Sequence, residues 1–297
     1  MDPLRPSKPV IGITSGDPAG IGPEVIRAAL ASRDLPADFE FEVVGEVSGH
    51  IPGSPTRDSA LAAVQALEKA TENLLSGRWR AVVTGPVSKK GLHDVGCQFP
   101  GQTEFFAARA GVENFAMCLT GGGLTVALVT AHVPLAQVPG LLDKSEIVRI
   151  GNLLASFLHQ RGCKEPRIAV AGLNPHAGEG GDLGTEEIQI IAPAVRELEK
   201  NTGAVFSGPL PPDTIFQQAV AGEFDGVLCM YHDQGLIPLK LHAFDQGVNV
   251  TLGLPFVRTS PGHGTAFGIA GKGLARPDSM LAAIQLAATM LRVSRCK

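Results

Sequence analysis

Short aliphatic and β-branched runs alternate with longer amphipathic stretches along the whole chain. Val10-Ile-Gly-Ile13, Phe39 to Val44, Ala81-Val-Val83, Leu124 to Thr130, Arg167 to Leu173, Val205-Phe206, Gly226 to Met230 and Asn249 to Leu252 are the short runs. Each is bounded by glycine or charge and predicts a buried strand. Between them, apolar residues return at helical spacing. Leu61, Val64, Leu67, Thr71, Leu74 and Leu75 share one face, as do Ile147, Ile150, Leu154 and Leu158 within a helix predicted over Lys144 to Gln160. Further helices are predicted over Val25 to Ala31, Thr103 to Arg109, Thr185 to Lys200, Thr214 to Ala221 and Ser279 to Arg292. Pro23 and Glu24 start the first of these, and Glu186 and Glu187 open the one from Thr185. Alternation of this kind defines the α/β class.

Length narrows the organisation: 297 residues predict two domains. No stretch has the composition of a linker, so the chain is expected to cross between the domains more than once. The segment from Ser48 to Arg57 is the most loop-like. A formal charge of −4 argues against a non-specific nucleic-acid binder, which would carry a basic face. No apolar stretch is long enough for a membrane span, and the first nine residues lack the apolar core of a signal peptide. Five scattered cysteines with no Cys-x-x-Cys fit a reducing compartment, and cytoplasmic placement is expected.

Three histidines carry the candidate chemistry. His132, His176 and His232 each stand just past the end of a predicted strand, following Leu124 to Thr130, Ile168 to Leu173 and Gly226 to Met230. In open α/β sheets, ligands bind outside the carboxyl ends of the strands. A loop or capping role is the ordinary reading of any one of them. Three imidazoles delivered to one rim point to a metal site with open positions.

Polar, glycine-rich segments follow other strands. Gly16-Asp-Pro-Ala-Gly-Ile-Gly-Pro-Glu24 is either a tight turn or an anion cradle, and it is not a dinucleotide fingerprint. Lys89 and Lys90 are solvated charges or anion contacts, and Thr103 is a plausible helix cap beside a phosphate site. Asn174-Pro-His-Ala-Gly-Glu-Gly-Gly181 is dense in function-capable residues. Lys240 and Arg258, close behind strand-end segments, fit recognition of an anionic substrate. The small residues of His263-Gly-Thr-Ala-Phe-Gly-Ile-Ala-Gly-Lys-Gly273 would let an adenine and ribose lie against backbone.

Taken together these segments resemble the 4-hydroxythreonine-4-phosphate dehydrogenase family of pyridoxal phosphate biosynthesis, nearly end to end. The resemblance runs through Gly16 to Glu24, Gly85-Pro-Val-Ser-Lys89, Thr103-Glu-Phe-Phe106, Ala131-His-Val-Pro-Leu135, Leu173 to Gly181, Pro212-Asp-Thr-Ile-Phe216, Tyr231-His-Asp-Gln-Gly235 and Val248 to Ser260. A more distant similarity is to isocitrate and isopropylmalate dehydrogenases. It implies two α/β/α domains flanking an active-site cleft: residues 1–115 with 250–297 on the cofactor side, and residues 116–249 carrying metal and dimer contacts.

The resemblance implies metal ligands at His132, His176 and His232. It implies substrate contacts at Gln102, Thr103, Lys240, Asn249 and Arg258, and a cofactor loop at His263, Gly264, Thr265 and Gly271. Lys240 and Asp213 become the candidate proton acceptors. The family usually has His where this chain has Gln102, which can donate and accept but cannot carry charge. The implied reaction is NAD-dependent oxidation (NADP being the alternative) of 4-phosphohydroxy-L-threonine, with zinc, magnesium or cobalt. The β-keto acid product decarboxylates to 3-amino-2-oxopropyl phosphate. The implied assembly is a homodimer whose site draws on both subunits. Rival readings keep the fold and change the substrate, to threonate or erythronate 4-phosphate or a carboxylated cyclic diol, or make the chain a non-reacting metal or ligand sensor.

Overall fold

The computed structural model describes residues 8–295. In chain order the elements are β1 (Val10–Thr14), α1 (Gly22–Leu30), β2 (Glu40–Val44), α2 (Arg57–Leu75), β3 (Ala81–Thr84), α3 (Lys89–Asp94) and α4 (Gln102–Arg109). They continue with β4 (Ala116–Gly121), β5 (Leu124–Leu128), α5 (Val138–Leu141), α6 (Lys144–Gln160), β6 (Arg167–Ala171), α7 (Ala192–Asn201), β7 (Val205–Leu210) and α8 (Ile215–Val220). The last are β8 (Gly226–Cys229), α9 (His232–Ala243), β9 (Val248–Leu252), β10 (Val257–Pro261) and α10 (Asp278–Arg295). Two compact units result. One runs to Glu113 and resumes at Leu254; the other is Asn114–Gly253.

In the first unit the strand order is β2-β1-β3-β10, all parallel. Its core gathers Trp79, Phe105, Phe106, Leu67 and Val82 around α2 and α4. Trp79 is 1% exposed and lies on β1 where Gly12 leaves room: a Cβ there would fall 1.9 Å from the indole Cε3. Its Nε1 donates to Glu42 Oε2 at 3.0 Å, so the one polar atom of a buried ring is satisfied. Helix α2 begins at a capping box, in which Thr56 and Ser59 exchange side-chain and backbone hydrogen bonds at 3.1 Å.

In the second unit the order is β9-β4-β5-β8-β6-β7. β4 pairs antiparallel with both β5 and β9, and β5, β8, β6 and β7 run parallel. The β4–β5 hairpin turns on Gly122-Gly123, whose φ values of 56° and 87° suit a turn that requires left-handed residues. The core contains Leu119, Val126, Leu128, Val227, Leu236 and Leu239. Gly235 lets α9 sit close on β8 and β5: an added Cβ would meet Cys229 Sγ at 2.9 Å.

Several elements escape the sequence pattern. β4, α3, α9 and β10 were not among the predicted elements. Gly235 and Pro238 read as breakers, yet α9 runs through both. β10 carries a charged residue, Arg258, in a buried run. The helix predicted over Thr185 to Lys200 opens with a π-turn over Glu187–Ile191 before α7. Among the described residues, no helix is long and apolar enough to cross a membrane.

Candidate active site

The strands preceding the three histidines are neighbours. β5, β8 and β6 lie side by side and parallel, so their carboxyl ends share one rim of the second unit. Cross-strand bonds continue past β5: Val129 N–H donates to Cys229 O at 2.8 Å and Thr130 Oγ1 to Met230 O at 2.8 Å. This pairing brings His132 and His232 together, with ring centroids 5.5 Å apart and planes tilted by 44°. Gln234, buried in the first turn of α9, ties the rim. Its Oε1 accepts from Met230 N–H at 2.7 Å and its Nε2 donates to Gly172 O at 2.7 Å. Sequence reasoning passed over Gln234; its place beside a strand-end histidine was the available signal.

His176 shares the rim but is not drawn into the pair. Among the described residues of one chain, no group of three His, Cys, Asp or Glu side chains is arranged to hold an ion. Two of the imidazoles are nonetheless poised as ligands. His232 Nδ1 lies 2.7 Å from Asp233 Oδ1, and His176 Nδ1 lies 2.7 Å from Glu179 Oε2. A carboxylate only accepts, so each Nδ1 donates, which in a neutral imidazole leaves the Nε2 lone pair for a metal. The donor chemistry therefore fits a divalent ion.

The backbone at these residues is unusual. His132 has φ of 56°, and His176 to Gly180 form a continuous left-handed turn with φ of 51°, 53°, 82°, 44° and 68°. His, Ala and Glu each cost about 1–2 kcal/mol in this conformation. Glu187, 2% exposed, accounts for how the turn is held. Its Oε1 accepts from Leu173 N–H at 2.7 Å and Asn174 N–H at 2.8 Å. Its Oε2 accepts from Asn174 Nδ2 at 3.0 Å. A glutamate at a helix start reads as a complement to the helix dipole, so this role was not visible in the sequence.

In the first unit a second cluster forms around Arg258 on β10. The residue is 4% exposed. Its Nη2 donates to Thr84 Oγ1 at 2.7 Å and Gln102 Oε1 at 3.1 Å, and its Nη1 reaches Thr103 Oγ1 at 3.5 Å. Gln102 Nε2 in turn donates to Gly85 O at 3.0 Å. Gln102 and Thr103 are the first two residues of α4, whose N-terminus favours negative charge. Burial pushes the guanidinium down to about 10, with Glu104 opposing. It stays a cation at neutral pH, buried and hydrogen-bonded to Thr84 and Gln102. Such a group favours an arriving anion.

The Gly16-to-Glu24 segment is a structural turn. Asp17 N–H donates to Pro86 O at 2.9 Å, Ala19 N–H to Asp17 Oδ1 at 3.0 Å, Gly20 N–H to Asp17 O at 2.9 Å, and Ile21 N–H to Thr265 O at 2.9 Å. Those N–H groups are committed within the protein. The last bond seats the His263–Gly273 loop on this turn, and a Cβ on Gly20 would meet Thr265 O at 2.9 Å. Gly264 and Gly268 are open, with nothing within 4 Å of an added Cβ. His263 Nε2 is buried and has no hydrogen-bond partner among the described residues. An orphaned ring nitrogen beside open glycine backbone fits a nucleotide cofactor. Gly271, at φ of 73°, packs on Pro52.

The remaining candidates lie in the second unit. Asn249 is on β9, paired with Leu119. Asp213 is exposed in the turn after β7, at the same rim as the histidines. Lys240 is exposed on α9, eight residues and thus about 12 Å along the helix axis from His232. One chain does not bring Lys240 to the histidine pair. Lys89 is exposed and Lys90 pairs with Asp94 at 2.5 Å, so neither is held in a site.

In fold, the chain is of the isocitrate dehydrogenase class. An isocitrate dehydrogenase from Methylococcus capsulatus superposes with a TM-score of 0.52 over 97% of this chain and 89% of that one, at 16% identity, which speaks for fold alone. The chain belongs to the family described as pyridoxal phosphate biosynthetic protein PdxA, whose sequence model matches residues 25–287. The 4-hydroxythreonine-4-phosphate dehydrogenase of Desulfosudis oleivorans is 43% identical over 94% of this chain and 95% of its own length. The crystal structure of 4-hydroxythreonine-4-phosphate dehydrogenase from Klebsiella pneumoniae gives a TM-score of 0.84 at 38% identity, covering 95% of this chain and 98% of that one. The protein is an oxidoreductase.

Proposed function

We propose that the enzyme oxidises the secondary alcohol of 4-hydroxythreonine 4-phosphate, using a nicotinamide cofactor and a divalent metal ion. The observation that carries this reading is the shared rim of β5, β8 and β6, which sets His132 and His232 5.5 Å apart with His176 beyond them. His132, His176 and His232 would hold the metal, which would supply Lewis-acid stabilisation of negative charge developing on the substrate. His263, Gly264, Thr265 and Gly271 receive the cofactor, which accepts the hydride. The alcohol loses a hydride and a proton to become a ketone β to the carboxylate; carbon dioxide then leaves, its bonding pair passing to the ketone oxygen as an enolate that takes up a proton.

The chain's own residues orient the substrate. Arg258, with Thr103 and the start of α4, takes an anionic group. Gln102 fixes the Arg258 head and adds a neutral contact. Asn249 and Lys240 complete the anion contacts, and the alcohol proton goes to Lys240 or Asp213. A single chain arranges two of the three imidazoles, and this supports a homodimer in which a second copy completes the metal site. The α9 surface supports the same assembly. Ile237, Leu241 and Phe244, 63%, 87% and 71% exposed, form an apolar stripe beside Lys240.

The test is NADH formation by purified protein with 4-phosphohydroxythreonine, NAD and added zinc, magnesium or cobalt. Parallel assays use NADP, threonate and erythronate 4-phosphates, and carboxylated cyclic diols. The neutral Gln102 is the observation that favours the other substrates. Turnover of one of them in place of 4-phosphohydroxythreonine would replace the leading substrate. No absorbance change across the panel would overturn the reaction itself.

A further inference from the structure

The left-handed turn that carries His176 is held by carboxylate side chains at the start of the next helix. Glu187 closes on the turn's entry through Leu173 N–H, Asn174 N–H and Asn174 Nδ2. The second hydrogen of the Asn174 amide goes to Glu186 Oε2 at 2.8 Å, which also takes Thr185 N–H at 3.0 Å. Two adjacent carboxylates thus share one amide, and the π-turn over Glu187–Ile191 begins at this point. π-Turns of this kind recur at functional sites.

Three glycines make room for the clamp. A Cβ on Gly172 would meet Glu187 Oε1 at 3.1 Å. On Gly178 it would meet Glu187 Oε2 at 2.7 Å, and on Gly184 it would meet Asn174 Nδ2 at 2.3 Å. Backbone and side chain are therefore fitted to one another around a carboxylate that is almost fully buried. Non-glycine residues persist in a left-handed turn only where the surroundings over-determine it. The clamp also consumes both donors of Asn174, so that amide serves the turn and leaves no hydrogen for substrate.

We infer that Glu187 is a positioning residue: with Glu186 and Asn174 it presets the turn that presents His176 to the metal. The inference rests on the reading of His176 as a metal ligand. In Glu187→Gln the amide oxygen still accepts from Leu173 and Asn174 N–H. Its NH2 then faces the Asn174 NH2, and two donors oppose each other.

The experiment uses the full chain and has two readouts. In metal-free protein, hydrogen exchange is followed at the Leu173 and Asn174 amides. Cobalt(II) is then titrated in, giving its affinity and the visible spectrum of the bound ion. Glu187→Gln is expected to speed exchange at those amides by tenfold or more, to weaken cobalt binding by tenfold or more and to alter the spectrum. The triple variant Asn174→Asp, Glu186→Gln, Glu187→Gln reverses both side-chain bonds, gives up only the exposed Thr185 N–H bond to residue 186, and is expected to restore slow exchange and the native spectrum. Should Glu187→Gln fail to fold, Glu187→Asp shortens the clamp and is read in the same way. Native exchange and native cobalt affinity in Glu187→Gln would overturn the inference. Native cobalt affinity in His176→Ala would instead overturn the ligand reading beneath it, whatever Glu187 does to the exchange rates.

Discussion

Arg258→Met separates two roles for the buried guanidinium, because they predict different outcomes. The side chain is 4% exposed and burial pushes its pKa down to about 10, so the fold holds the charge against roughly 3 kcal/mol of lost solvation. Arg258→Met removes that solvation cost, but it leaves the Thr84 and Gln102 acceptors without their donor, at about 1–3 kcal/mol each. The two effects roughly cancel, so the unliganded protein should melt close to the parent in Arg258→Met, with Thr84 and Gln102 losing contacts at 2.7 and 3.1 Å. Substrate binding should weaken. A charge-assisted hydrogen bond contributes about 1.5–3 kcal/mol, and a two-pronged contact about 3 kcal/mol or more. At about 1.4 kcal/mol per decade, kcat/KM falls by a hundredfold or more, carried mainly by KM. Arg258→Lys keeps the charge but cannot serve Thr84, Gln102 and an anion together, and should fall between. Steady-state kinetics, competition by inorganic phosphate and calorimetry of the unliganded protein make the assay. A lower melting temperature with unchanged KM and unchanged phosphate competition in Arg258→Met would refute the anion role and leave Arg258 a structural residue.

Gly12→Ala drives a methyl into the Trp79 ring, 1.9 Å from Cε3, and should destabilise by about 3 kcal/mol, seen as a fall in the calorimetric melting temperature. Asp225 is held below the ordinary carboxylate range. Burial raises its pKa, but hydrogen bonds from the Arg167 side chain and N–H, at 3.2 and 2.8 Å, outweigh that. A depressed acid contributes stability above its unfolded pKa and loses it as pH falls through the folded value. Asp225→Asn should therefore lower the urea midpoint at pH 7, and the difference from the parent should shrink only as pH falls below about 4, through the depressed folded value. Leu241→Glu with Phe244→Glu places charge on the exposed apolar side chains at the end of α9 and, for the proposed homodimer, should halve the mass measured by light scattering. An unchanged mass would remove that stripe from the proposed dimer contact.

The strand-end histidines were legible because their strands are. Each precedes its histidine as an uninterrupted apolar run, and burial on both faces writes such runs plainly into a sequence. Their adjacency was not legible, since strand order is set by long-range pairing that no local pattern records. β10 was hidden because a buried cation reads as a solvent position, and Arg258 entered the site by placement and resemblance alone. α9 was hidden behind Gly235 and Pro238. Gly235 is there for close approach to Cys229, a packing demand that looks like a turn signal in one dimension. Glu187 and Gln234 were missed for one reason: a buried polar side chain serving backbone groups has the same letters as an exposed one.

The chain contains one tryptophan and one tyrosine, and the fold puts one in each unit. Trp79 is sealed against β1 in the first, and Tyr231 precedes His232 on the imidazole rim of the second. Selective excitation of the indole therefore reports denaturation of the first unit alone, with no engineered label. Phenol absorbance reports the environment of the histidine rim, so loading of that rim and melting of the other unit can be watched as two separate optical signals in the unmodified enzyme.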